Sequence, residues 1–167
     1  MSWRRVLRWT GIVMLAVFLL MQLVPYGWWH ENPPVTQAAE WGDPEGEALA
    51  RAACYDCHSN ESTWPVYSYV APMSWLVRAD VESGRDELNF SDWDEDGDRV
   101  DKAVEAVADG EMPPRRYTLL HPEARLSDEE VAQLITALDA MAASRSDNSG
   151  RGGGDDSSGP GGDGDEG

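Results

Sequence analysis

Apolar residues in this chain follow two different rhythms. From Trp9 to Trp29, 21 residues pass without a charge. As one helix they would span about 31 Å, the thickness of a bilayer core. Arg4, Arg5 and Arg8 precede the run and Glu31 follows it. Residues 1–8 are therefore read as a cytoplasmic basic N-terminus and 9–29 as a single transmembrane helix. Everything after about residue 30 is then extracytoplasmic, with Tyr26, Trp28 and Trp29 in the interfacial belt. His30 is read as an interfacial residue. No small-x-small cleavage site ends the run, so the anchor is expected to be retained.

Beyond residue 40 the rhythm is helical, with no strand-like alternation. Glu45–Cys54 is predicted as a helix with Leu49, Ala50 and Ala53 on one side. Pro72 can start a second helix carrying Trp75, Leu76 and Ala79, and Gly84 can end it. Val100, Ala103, Val104 and Val107 recur at helical spacing until Gly110. Ser127 and Glu130 form a capping box ahead of a stripe of Val131, Leu134, Ile135, Leu138 and Met141. The fold class is all-α, a small helical domain over residues 40–143. Asn32, Pro33 and Pro34 make the 30–39 linker a stiff, extended spacer. Residues 144–167 are Gly, Ser and Asp with almost nothing apolar, and are expected to be a disordered acidic tail.

Composition narrows the partners. The formal net charge is −18, from 31 acidic and 13 basic residues. Phosphate backbones would be repelled, so no nucleic acid is expected. A basic partner protein suits such a surface. Asp92-Trp93-Asp94-Glu95-Asp96-Gly97-Asp98 resembles the first half of a calcium loop. Its twelfth position, however, is Ala103 rather than a bidentate Glu, so calcium is not expected.

The two cysteines of the chain sit in Cys54-Tyr55-Asp56-Cys57-His58. A structural zinc site wants four ligands, and the remaining histidines, His30 and His121, have no finger spacing. A thiol redox pair expects a βαβ setting and leaves His58 without a role. C-x-x-C-H also reads as covalent haem attachment, two thiols on one helical turn with the following imidazole under the iron. An extracytoplasmic domain is the compartment such chemistry needs. A large apolar cofactor would also enlarge the core of so small a domain. For the second axial ligand the candidate is Met112, in Gly110-Glu111-Met112-Pro113-Pro114, where two prolines hold the backbone. His121 and Met73 are the alternatives, and Met141 belongs to the core stripe.

The run Cys54-Tyr55-Asp56-Cys57-His58-Ser59-Asn60-Glu61-Ser62-Thr63-Trp64-Pro65-Val66-Tyr67-Ser68-Tyr69 resembles the bacterial haem-binding domain family. So do Gly84-Arg85, Asn89-Phe90-Ser91-Asp92-Trp93, Gly110-Glu111-Met112-Pro113, and the segment from Tyr117 to Ser127. The resemblance implies a cytochrome c-like module behind an N-terminal anchor. It implies haem c held through Cys54, Cys57 and His58, and it supports Met112 as distal ligand. One departure is Val66, where family members often carry Trp; loss of that aromatic is expected to loosen the haem pocket. A one-electron carrier serving a redox partner, rather than an enzyme, is the function expected. The alternative is a haem enzyme or gas sensor with an open distal site, for which His121 would be the acid–base residue.

Overall fold

The computed structural model describes residues 2–93 and 99–151, with residues 145–151 as backbone alone. The remainder of the acidic loop, Asp94 to Asp98, and the tail from residue 152 lie outside the described residues. The elements are α1 (Trp3–Met21), α2 (Pro44–Ala53), α3 (Tyr55–His58), α4 (Met73–Glu87), α5 (Val100–Ala108), α6 (Arg115–Leu120) and α7 (Asp128–Arg151). Short 3-10 turns cover Pro25–Gly27, Val66–Tyr69 and Pro122–Ala124. Among the described residues no strand forms; Gln37 and Asp92 make an isolated parallel bridge.

Local chemistry accounts for the helix ends. The Asp43 carboxylate accepts from the backbone N–H groups of Glu45 and Gly46 at 3.2 and 3.0 Å, and Pro44 opens α2. The capping box before α7 forms as the pattern predicts. The Glu130 carboxylate accepts from Ser127 N–H at 2.7 Å, and Ser127 Oγ accepts from Glu130 N–H at 3.3 Å. Gly110 closes α5 with φ of +71°, the left-handed conformation glycine adopts without a Cβ penalty.

The core lies where α2 and α5 pack on α7. Leu134, Leu138 and Met141 of the predicted stripe are buried together with Ala50, Val100, Val107 and Phe90. Val131 and Ile135 are partly buried at its edge. Tyr55 stacks on Phe90 at 5.1 Å, and the Trp41 indole N–H donates to the Tyr55 hydroxyl at 3.0 Å. Leu134 is fully buried. Leu134→Ala should therefore cost about 2–5 kcal/mol, a large share of the stability of a domain this size. The check is a urea titration, in which the midpoint falls at unchanged slope.

Three expectations meet a different outcome. Gly84 lies inside α4 rather than at its end, because the helix continues to Glu87. α7 runs on to Arg151, through Ser144–Arg151 where disorder was expected. The expected 21-residue anchor helix also takes another form. α1 starts among the arginines and stops at Met21, and its charge-free part, residues 9–21, is only about 20 Å long. Among the described residues no helix is long and apolar enough to cross a membrane.

The reason is local: Gln22 leaves the helix and its side-chain amide pairs with the Ala71 backbone. It donates to Ala71 O and accepts from Ala71 N–H, both at 3.0 Å. Pro25 then starts a 3-10 turn that packs on α4, with Gly27 against Ser74. The Arg78 guanidinium donates to Tyr26 O at 2.8 Å. His30, expected at a membrane interface, stacks on Tyr69 at 4.0 Å and meets Trp64 edge-on.

The linker, expected as a stiff extended spacer, is bonded along the domain. Asn32 donates to Ser62 O, and Thr36, Gln37 and Ala39 donate their backbone N–H groups to Ser91 or Phe90.

Candidate haem site

Cys54 separates α2 from α3, and its carbonyl accepts from the N–H groups of both Cys57 and His58, at 3.1 and 2.9 Å. Cys57 and His58 thus lie on a single turn. Both thiols are free. Burial pushes Cys54 up to about 12 and Cys57 up to about 11. That is the reverse of what a redox-active C-x-x-C pair needs, which is one thiol lowered toward neutrality.

The His58 ring is fixed from behind. Its Nδ1 lies 3.1 Å from the Leu88 carbonyl. A carbonyl can only accept, so the proton is assigned to Nδ1 and the Nε2 lone pair is left for a metal. Burial lowers the His58 pKa, which keeps the ring neutral and able to ligate. The backbone N–H of Phe90 donates to His58 O at 2.8 Å and ties the same segment to the end of the turn.

α4 closes this turn from one side. A Cβ on Gly84 would stand 2.6 Å from the Cys57 carbonyl oxygen, a backbone atom that cannot swing away. Glycine here is a requirement of close packing. Gly84→Ala should push α4 off the cysteine turn and cost about 1–3 kcal/mol. Thermal unfolding of the loaded protein would report the loss, and an unchanged transition would refute this account of the contact. The next residue, Arg85, holds the loop after the motif. It donates to Ser59 O at 2.8 Å, to Ser62 Oγ at 2.9 Å and to Asn32 Oδ1 at 2.9 Å.

Two cavities meet at His58. One, of about 220 Å³, is lined by Cys54, Phe90, Lys102, Ala106, Leu138 and others. The second, of about 160 Å³, is lined by Cys57, Asp80, Gly84, Pro114, Arg116 and Tyr117, among others. His58 and Met112 line both. Each cysteine opens into a different cavity, so the motif straddles them. Met112 arrives from the loop after α5, where its N–H donates to Ala106 O at 3.1 Å. It is 37% exposed.

The alternative ligands lie elsewhere. Met73 and His121 line a smaller cavity of about 70 Å³, with Cys57 but not His58. Both His121 nitrogens are engaged, Nε2 with the Tyr67 hydroxyl at 2.7 Å and Nδ1 with the Glu123 carboxylate at 3.0 Å. The ring also stacks on Tyr117 at 4.2 Å. Val66 is 86% exposed and lines none of these three cavities.

The sequence reading missed three supports: the Leu88 carbonyl, Gly84 as a contact rather than a stop, and the Arg85 clamp. Gly84-Arg85 was the visible signal, but its partners depend on the fold. Among the described residues no group of three or more His, Cys, Asp or Glu side chains is placed to hold a metal ion.

An all-helical domain with a neutral, oriented imidazole, two free thiols on its turn and a thioether on the same cavities has the donor set of a haem-binding module. Comparison with known proteins agrees. The model of the haem-binding domain family matches residues 16–140, and the chain belongs to that family, whose cofactor is haem. The chain is also 27% identical over 139 residues to the cytochrome c peroxidase Ccp of Escherichia coli (strain K12). That match covers 75% of this chain and 30% of the relative's length. No solved structure matches.

Proposed function

We propose that the protein is a membrane-anchored, extracytoplasmic monohaem c-type cytochrome that carries single electrons. The observation that carries this reading is the convergence of Cys54, Cys57, His58 and Met112 on two cavities that share His58 and Met112. When bound, haem supplies the one-electron iron couple. The chain does the rest. Cys54 and Cys57 would hold the porphyrin edge, each thiol adding its S–H across a vinyl group, Leu88 O orients His58, and His58 and Met112 would be the donors to the iron. Phe90, Val107 and Leu138 present an apolar wall that keeps water away. The net charge of −18 favours a basic redox partner reached by salt-sensitive steering. α1, with no buried residue and its arginines at one end, supplies the membrane attachment.

The test is a denaturing gel stained for haem, on chain made in a host with haem-attachment machinery. A stained band at the size of the chain is expected. Colourless chain beside a stained control cytochrome would return the cysteines to a thiol or metal role.

One observation favours a second reading, a haem enzyme with a displaceable distal ligand: the similarity to a cytochrome c peroxidase, with Met112 more than one-third exposed. Carbon monoxide separates the two. A ferrous form that ignores it fits the carrier, and rapid binding fits the enzyme.

A further inference from the structure

About a quarter of the chain is charged, yet two long stretches carry no charge at all, residues 9–30 and 62–77. The fold packs them together. The Gln22 amide pairs with Ala71, Gly27 packs on Ser74, and His30 stacks on Tyr69 while contacting Ser68 O at 2.8 Å. The result is one apolar end of the domain, where Leu23, Trp28, Trp29, Val66, Tyr69 and Val70 are all exposed. Exposed apolar surface of this extent beside an apolar helix marks a contact site.

We infer that this end of the haem domain lies directly on the lipid bilayer, with the Val66–Val70 turn as a second membrane contact beside α1. The inference rests on the reading of α1 as membrane-embedded. Two observations select lipid as the occupant. The charge-free part of α1 is about 20 Å long, against a bilayer core of about 30 Å, so an inserted α1 draws its C-terminal end to the interface. No tether then separates that end from the domain, because Gln22, the first residue after α1, is bonded to Ala71 and the following linker is laid along the domain surface. Trp28, Trp29 and Tyr69 have the amphipathic character favoured at the headgroup level. The domain is thereby held in one orientation to the membrane rather than swinging on a leash.

The experiment places a photoreactive benzophenone amino acid at position 14, 66 or 119 of the full haem-loaded chain, in vesicles of phosphatidylcholine and phosphatidylglycerol. Adducts are identified by mass spectrometry. Position 14 lies in α1, and Leu119 is an exposed apolar control on α6. Lipid adducts are expected at 14 and 66, several-fold above those at 119. Adducts at 14 with none at 66 would overturn the inference and leave the anchor standing. An absence of adducts at 14 would overturn the anchor reading and the inference with it. Cross-links from 66 to a second copy of the chain, in place of lipid, would make this face a self-association surface and also refute the proposal.

Discussion

His58→Ala is expected to leave haem on the denaturing gel but remove the low-spin spectrum of the iron. On the proposed reading Cys54 and Cys57 would make the thioether bonds, so attachment should survive loss of the imidazole while coordination should not. The prediction is sharp because the His58 tautomer is set by the contact of Nδ1 with Leu88 O, which leaves Nε2 for a metal. Replacing the ring also leaves the Leu88 carbonyl without its donor, at about 1–3 kcal/mol if water does not replace it. His121→Ala is the control. Its ring is held between Tyr67 and Glu123, so its loss should leave the iron spectrum as it was. If the His121 variant alone loses the low-spin bands, the assignment of His58 is wrong.

Met112→Ala is expected to lower the reduction potential, by an amount on the order of a hundred millivolts, and to let the ferrous protein bind carbon monoxide. A thioether favours ferrous iron, so its loss favours the ferric form. A methionine that merely filled a gap would give a different result: lower stability, with potential and carbon monoxide response unchanged. Met73→Ala provides the comparison, since Met73 lines the neighbouring cavity and not the two that contain His58. Potentiometric titration of the three proteins at one pH decides between these outcomes.

Much of the architecture was legible beforehand because it rests on short-range rules. The capping box at Ser127, the stripe from Val131 to Met141 and the stop at Gly110 each depend on residues within a turn or two. The C-x-x-C-H motif is equally local: its spacing alone puts both thiols and the imidazole on one turn. Gly84 was misread because a glycine in a helical pattern is ambiguous. It can stop a helix or admit a neighbour, and only the approach of the Cys57 carbonyl distinguishes the two. The C-terminal end of the anchor helix was misplaced for a similar reason. The run from Trp9 to Trp29 has no charge to interrupt it, but Gln22 and Pro25 redirect the chain once Ala71 and α4 offer partners.

The sequence by itself therefore determined the all-helical class, the cofactor motif and the buried stripe of α7, since each follows from periodicity or spacing along the chain. The tertiary structure decided which thioether lines the same cavities as His58, which carbonyl orients the His58 ring, and where α1 gives way to the domain. Those outcomes depend on pairs far apart in sequence, Leu88 with His58, Met112 with His58 and Gln22 with Ala71. Such pairs are set by how the helices pack, and residue order alone carries no signal for that packing.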